Sequence, residues 1–158
     1  MVLEKKFKIF YLFIILLCVT SIFYAFFVEF FLGYKPCILC KYQRVPYALG
    51  LIIGFFGFFK PSNTKICIYI FLTFLISMIL SAYHVGIEQE LYQSILNCSD
   101  DNLNILEGGK LLESLSVINP DCRNVNFAIF GVSLATINFV LSFVISSVSY
   151  YLYSNAKN

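Results

Sequence analysis

Six cysteines occur in 158 residues, and four of them fall between apolar stretches rather than inside them. Cys37 and Cys40 stand two residues apart in the segment Lys35-Pro36-Cys37-Ile38-Leu39-Cys40-Lys41-Tyr42-Gln43-Arg44, while Cys98 and Cys122 form a distant second pair. A two-residue spacer lets two sulfurs meet across one turn, where a helix N-terminus or a nearby cation can stabilise a thiolate. The chemistry open to such residues is thiol–disulfide exchange, in which a thiolate attacks a disulfide sulfur roughly in line, so the two pairs must be able to meet. A free thiol, with a pKa of about 8.5, holds little thiolate at neutral pH. Lys41 and Arg44 are expected to raise that fraction at Cys40. Pro36, without an N–H, suits a turn or helix start. If the helix has begun by Cys40, Arg44 lies at i+4 on the same face. Pro46 also fits a first turn, which would move the start nearer Val45. In either case Arg44 sits where it can donate to the carbonyl oxygen of a lipophilic electron acceptor.

The elements that position these residues are apolar. The chain is 59% hydrophobic and 13% charged, with a mean hydropathy of +0.82. A soluble domain of this length could not cover that surface with so few charges. The net charge of +2 is too small to argue for nucleic acid. Four apolar runs predict four transmembrane helices at about 7–32, 42–59, 66–83 and 127–151, given the roughly 20 residues a span requires. The first run is too long for the apolar region of a signal peptide and no small-residue cleavage site follows it, so it is expected to be a retained span. The polar segment 60–65 turns the second and third spans into a hairpin. Lys5, Lys6, Lys8, Lys60, Lys65 and Lys157 share one side, the cytoplasmic side by the positive-inside rule. Both termini are then cytoplasmic. The outer loops are 33–41 and 84–126, and all four loop cysteines lie in them, on the side where disulfides persist.

The expectation is thus an all-α membrane protein: a single four-transmembrane-helix bundle with a redox site at its outer face. In the long loop, Leu103, Leu106, Leu111, Leu112, Leu115 and Ile118 recur at roughly helical spacing, which predicts a short amphipathic helix on the membrane surface. It would hold Cys98 and Cys122 near the first pair. Two structural disulfides in a non-catalytic membrane scaffold are the plainer reading of the same cysteines. A four-cysteine zinc site usually repeats its close spacing, which Cys98 and Cys122 do not, so no metal is expected. A c-type haem needs histidine where Lys41 stands. Gly50, Gly54 and Gly57 form one small-residue face suited to close helix contact. Cys18 and Cys67 are expected to pack as small apolar residues, Glu29 to snorkel to the interface, and Thr136 and Asn138 to hydrogen-bond between helices.

Pro36-Cys37-Ile38-Leu39-Cys40 followed by Tyr42, Gln43 and Arg44, together with the four-span layout and Cys98 and Cys122 in the second outer loop, resembles the disulfide bond formation protein B (DsbB) family of quinone-linked inner-membrane thiol oxidases. The resemblance implies oxidation of a periplasmic thioredoxin-fold (DsbA-like) dithiol protein, with electrons passed to ubiquinone or menaquinone of the membrane pool. By that resemblance Cys98 accepts the partner's cysteine in a mixed disulfide, and Cys122 passes electrons towards Cys37. Cys40 lies beside the quinone, and Arg44 binds it. His84, at the outer end of span three, would approach the quinone or remain an interfacial, solvated histidine. Gln43 stands where some members carry Glu and receives no role. The resting pairing of the four cysteines stays open among three connectivities. A vitamin K epoxide reductase-like oxidoreductase is the second enzyme reading, although that family usually places its quinone-facing C-x-x-C near the last span.

Overall fold

The computed structural model describes residues 2–89, 91, 128–129 and 132–157. These form four helices: α1 (Val2–Phe30), α2 (Ile38–Phe59), α3 (Lys65–Glu88) and α4 (Leu134–Lys157). A two-residue hairpin, β1 (Ala128–Ile129) with antiparallel β2 (Val132–Ser133), precedes α4. The expected fourth run began at 127. The helix itself starts at Leu134, because the hairpin occupies the first residues and Ser133 Oγ then accepts from the Thr136 N–H, capping the helix. The amphipathic helix expected in the long loop lies outside the described residues.

Contacts between named residues show that successive helices run antiparallel. Along α1 and α2, Tyr11 meets Gly57, Cys18 meets Gly50 and Glu29 meets Arg44. Along α2 and α3, Tyr47 packs edge-on against Phe74 and Gln43 reaches His84. Along α3 and α4, Ser77 meets Ser142 and Phe71 packs against Tyr150. Tyr11 also hydrogen-bonds Cys67, which ties α1 to α3.

Among the described residues, three helical segments are long and apolar enough to cross a membrane: Glu4–Phe30, Lys65–Glu88 and Leu134–Ala156. Helix α2, at 22 residues, is about 33 Å long. It is less apolar because Lys41, Gln43 and Arg44 occupy its first two turns and three glycines dilute the rest. Large apolar side chains such as Phe13, Phe23, Phe30, Phe55, Ile76 and Phe143 face outward. The outer surface therefore suits lipid.

The interior mixes large apolar residues such as Ile14, Ile70 and Phe74 with small and polar ones. Helix contact in lipid depends on close packing and interhelical hydrogen bonds, because tails are as apolar as leucine. The glycine face of α2 follows this rule. A Cβ at Gly57 would stand 2.8 Å from the Tyr11 ring, and one at Gly50 would stand 3.0 Å from Phe74. Tyr47 Oη donates to Asn138 Oδ1 at 2.6 Å, and Ser142 Oγ donates to Ser77 Oγ at 2.9 Å. Asn138 thus bonds across helices as expected. Thr136 does not. It closes a local contact with Ser133 at 3.0 Å, because it lies in the first turn, where the capping donors need partners. Cys18 and Cys67 are fully buried, as their small apolar character predicts.

Candidate functional site

Pro46 is internal to α2, and the helix begins at Ile38, not near Val45. Cys37 is its N-cap, with an extended backbone (φ −66°, ψ 168°), and its sulfur accepts from the Cys40 N–H at 3.4 Å. The Lys41 N–H meets the Cys37 carbonyl at 3.2 Å. The C-x-x-C therefore wraps the first helical turn. Its two sulfurs lie 3.0 Å apart, hydrogen-bonded rather than covalently joined.

This geometry reverses one electrostatic expectation. Contact with the Cys37 thiol first, and burial second, push the Cys40 thiol well above the ordinary thiol range. Cys40 lies in the first turn of α2, ahead of the expected span. Of the two cations expected to favour its thiolate, Arg44 is engaged elsewhere. Arg44 Nη1 donates to Glu29 Oε2 at 2.5 Å and Nη2 donates to the Ala25 carbonyl at 3.4 Å. Its guanidinium also stands 5.1 Å from the centre of the Phe26 ring. Glu29 is therefore the partner of Arg44 rather than a snorkelling carboxylate. Both side chains are about three-quarters buried.

Helix α3 continues one turn past Tyr83 to Glu88, so His84 is helical and 3% exposed. It is not a solvated interfacial residue. Its Nε2 lies 3.6 Å from Cys37 Sγ and 3.7 Å from Glu88 Oε1, one turn on. Its Nδ1 lies 3.1 Å from the side-chain amide of Gln43. Gln43 has a structural role that sequence reasoning did not assign: buried on α2, it sets the ring plane of His84. One signal was available. Cys40, Gln43 and Tyr47 recur at i, i+3 and i+7, and a glutamine on that face needs a partner. The Glu29–Arg44 pair had no comparable signal, because it joins two helices.

These groups line one cavity of about 230 Å³ at the end of the bundle where α2 begins and α3 ends. Cys37, Cys40, Gln43, Arg44 and Tyr47 come from α2, His84 and Glu88 from α3, and Asn138 from α4. Ile22, Ala25, Val28 and Leu141 supply apolar wall. The structure thus brings together four of the six residues singled out for the site: Cys37, Cys40, Arg44 and His84. Cys98 and Cys122 lie outside the described residues. An apolar slot with a few convergent polar groups is the usual form of a small-molecule site.

Comparison with known proteins adds a second line of information. The sequence profile of the family described as "Disulfide bond formation protein DsbB" matches residues 7–152. The chain belongs to the DsbB family. Two of its relatives are each called "Disulfide bond formation protein B" in Xylella fastidiosa, from strains 9a5c and Temecula1. They are 27% and 26% identical over 127 residues, covering 75% of this chain and 73% of each relative. A further relative, "Uncharacterized protein RP370" of Rickettsia prowazekii (strain Madrid E), is 27% identical over 145 residues, covering 88% of this chain and 83% of that protein. No solved structure is significantly similar. DsbB membership, with three segments able to cross a bilayer, makes this a membrane protein of disulfide bond formation.

Proposed function

We propose that the protein oxidises a periplasmic thioredoxin-fold dithiol protein of the DsbA type and passes the electrons to quinone in the bacterial inner membrane. The observation that carries this reading is the C-x-x-C on the wall of an apolar cavity that Arg44 and His84 share. In this reading α2 is the fourth span, from about residue 42 to 59. Both termini are cytoplasmic, and Cys37, Cys40, Cys98 and Cys122 are on the periplasmic side.

The exchange sequence balances two electrons. The partner's two thiols become its disulfide while the Cys98–Cys122 disulfide becomes two thiols. Those thiols in turn reduce a Cys37–Cys40 disulfide, with Cys98 forming the mixed disulfide to the partner and Cys122 reaching Cys37. The Cys40 N–H and the α2 N-terminus face Cys37 Sγ, an arrangement that favours negative charge on that sulfur. A quinone, ubiquinone or menaquinone, supplies a membrane-soluble acceptor of two electrons and two protons. The residues present fit one: the cavity takes the ring, Arg44 has N–H donors beyond those given to Glu29 and Ala25, and Cys40 and His84 line the same wall.

The test is quinone consumption by purified protein in detergent, with a reduced thioredoxin-fold dithiol protein as donor. Loss of quinone that needs the donor and disappears in Cys40→Ser is the expected result. Cys122→Ser should accumulate a mixed disulfide between Cys98 and the donor. Folded protein that consumes neither ubiquinone nor menaquinone, and whose disulfides resist mild reductant, would instead be a scaffold with structural disulfides.

A further inference from the structure

The geometry points to a metal site at the reduced redox centre: Cys37, Cys40 and His84 form a three-ligand seat for a thiophilic divalent cation such as zinc, with Glu88 beside His84 and the fourth position left to its carboxylate or to water. The ligand atoms of Cys37, Cys40 and His84 all lie within 4.8 Å of one another, although Cys37 and His84 are 47 residues apart in sequence. This separation hides the site from any motif based on spacing.

The Cys37–His84 and His84–Glu88 distances are close to edges of a tetrahedron. With metal–sulfur bonds of about 2.3 Å and metal–nitrogen and metal–oxygen bonds of about 2.0–2.1 Å, the edges are about 3.5 Å for S···N, 3.4 Å for N···O and 3.7 Å for S···S. The observed Cys37 Sγ···His84 Nε2 distance is 3.6 Å and the His84 Nε2···Glu88 Oε1 distance is 3.7 Å. The sulfurs, at 3.0 Å, need to part by about 0.7 Å, within reach of a χ1 adjustment. Binding exchanges two S–H protons for two metal–sulfur bonds and involves no change of oxidation state.

Gln43 completes the arrangement. A histidine that binds metal through Nε2 carries its proton on Nδ1 and places it on an acceptor. The Gln43 amide already stands 3.1 Å from Nδ1, and turning it over presents Oε1 to that proton. The cation binds only the dithiol, because a Cys37–Cys40 disulfide has no thiolate to offer. A loaded site therefore withholds the pair from oxidation until the metal leaves. This requires the reduced pair but neither quinone nor partner, so it stands or falls separately from the proposed function.

The test uses full-length reduced protein in detergent, free of quinone and donor, titrated with Co²⁺ as a spectroscopic probe and then with Zn²⁺. One Co²⁺ per chain with the ligand-field and thiolate charge-transfer bands of a tetrahedral site, displaced by Zn²⁺, is expected. The signal should be absent from the same protein oxidised to its disulfides, a control that needs no substitution. It should survive Cys98→Ala/Cys122→Ala and vanish in Cys40→Ser. Gln43→Leu should weaken binding by about 10- to 100-fold, the usual effect of removing such a supporting contact. An octahedral spectrum, a signal that survives oxidation or Cys40→Ser, or one lost with Cys98 and Cys122 overturns the proposal.

Discussion

Replacing Arg44 by leucine tests the cavity most directly. The guanidinium has five N–H donors. Glu29 and Ala25 occupy two of them, and Phe26 packs on one face. These contacts hold the side chain against the cavity with donors to spare. A hydrogen bond from a charged group contributes about 1.5–3 kcal/mol, so its loss should raise the quinone KM by about 10- to 150-fold. Donor KM should change little. The substitution also leaves Glu29 unpaired and three-quarters buried. Exposed pairs contribute up to about 1 kcal/mol, while breaking a buried one costs about 3–5 kcal/mol, so a stability loss of about 1–3 kcal/mol is expected here. Glu29→Gln/Arg44→Leu removes both charges and should recover most of that loss without restoring quinone use. The assay is steady-state quinone consumption at saturating donor, with thermal unfolding in the same detergent. A quinone KM within about twofold of the parent, alongside a lowered Tm, would refute the binding role and leave Arg44 as a brace between α1 and α2.

Gly57→Ala should destabilise the bundle, because its Cβ would stand 2.8–2.9 Å from the Tyr11 ring; overpacking of about 1–3 kcal/mol outweighs the helix-propensity gain of about 1 kcal/mol. Gly54→Ala, with contacts of 3.3–3.7 Å, should be neutral or mildly stabilising, and equal Tm values for the two variants would contradict the packing argument. Cys37→Ala removes the largest cause of the raised Cys40 thiol. The Cys40 pKa should fall, its thiolate fraction at neutral pH should rise, and alkylation by iodoacetamide should accelerate by about tenfold for each unit recovered; an unchanged rate would mean that burial alone protects it. Cys18→Ala and Cys67→Ala should leave quinone turnover near parental, since both sulfurs are buried in the bundle away from the cavity lining.

Much of this protein is local in character and therefore legible along the chain. Apolar runs predict helices because a backbone in hydrocarbon must satisfy its own hydrogen bonds. The glycine spacing of α2 marks a contact face without reference to a partner helix. The C-x-x-C and Arg44 share a face because one helix carries them all. Where local signals competed, tertiary structure decided. Pro36 and Pro46 each suited a helix start, and the turn at Cys37 won because its sulfur and carbonyl both accept from the first turn.

Contacts between elements were not legible. Nothing in the composition of α1 pairs Glu29 with Arg44, and nothing near Gln43 indicates a histidine 41 residues away. The electrostatics of Cys40 likewise depend on contacts between elements. Nearby cations in sequence suggested a stabilised thiolate, but Arg44 turns to α1 and Cys37 lies against Cys40. Sequence by itself determined which residues could do thiol chemistry and that apolar helices would carry them, because both follow from residue type and period. Only the tertiary structure decided which charges are neutralised and which ligands converge, because those depend on distances across helices that no spacing along the chain encodes.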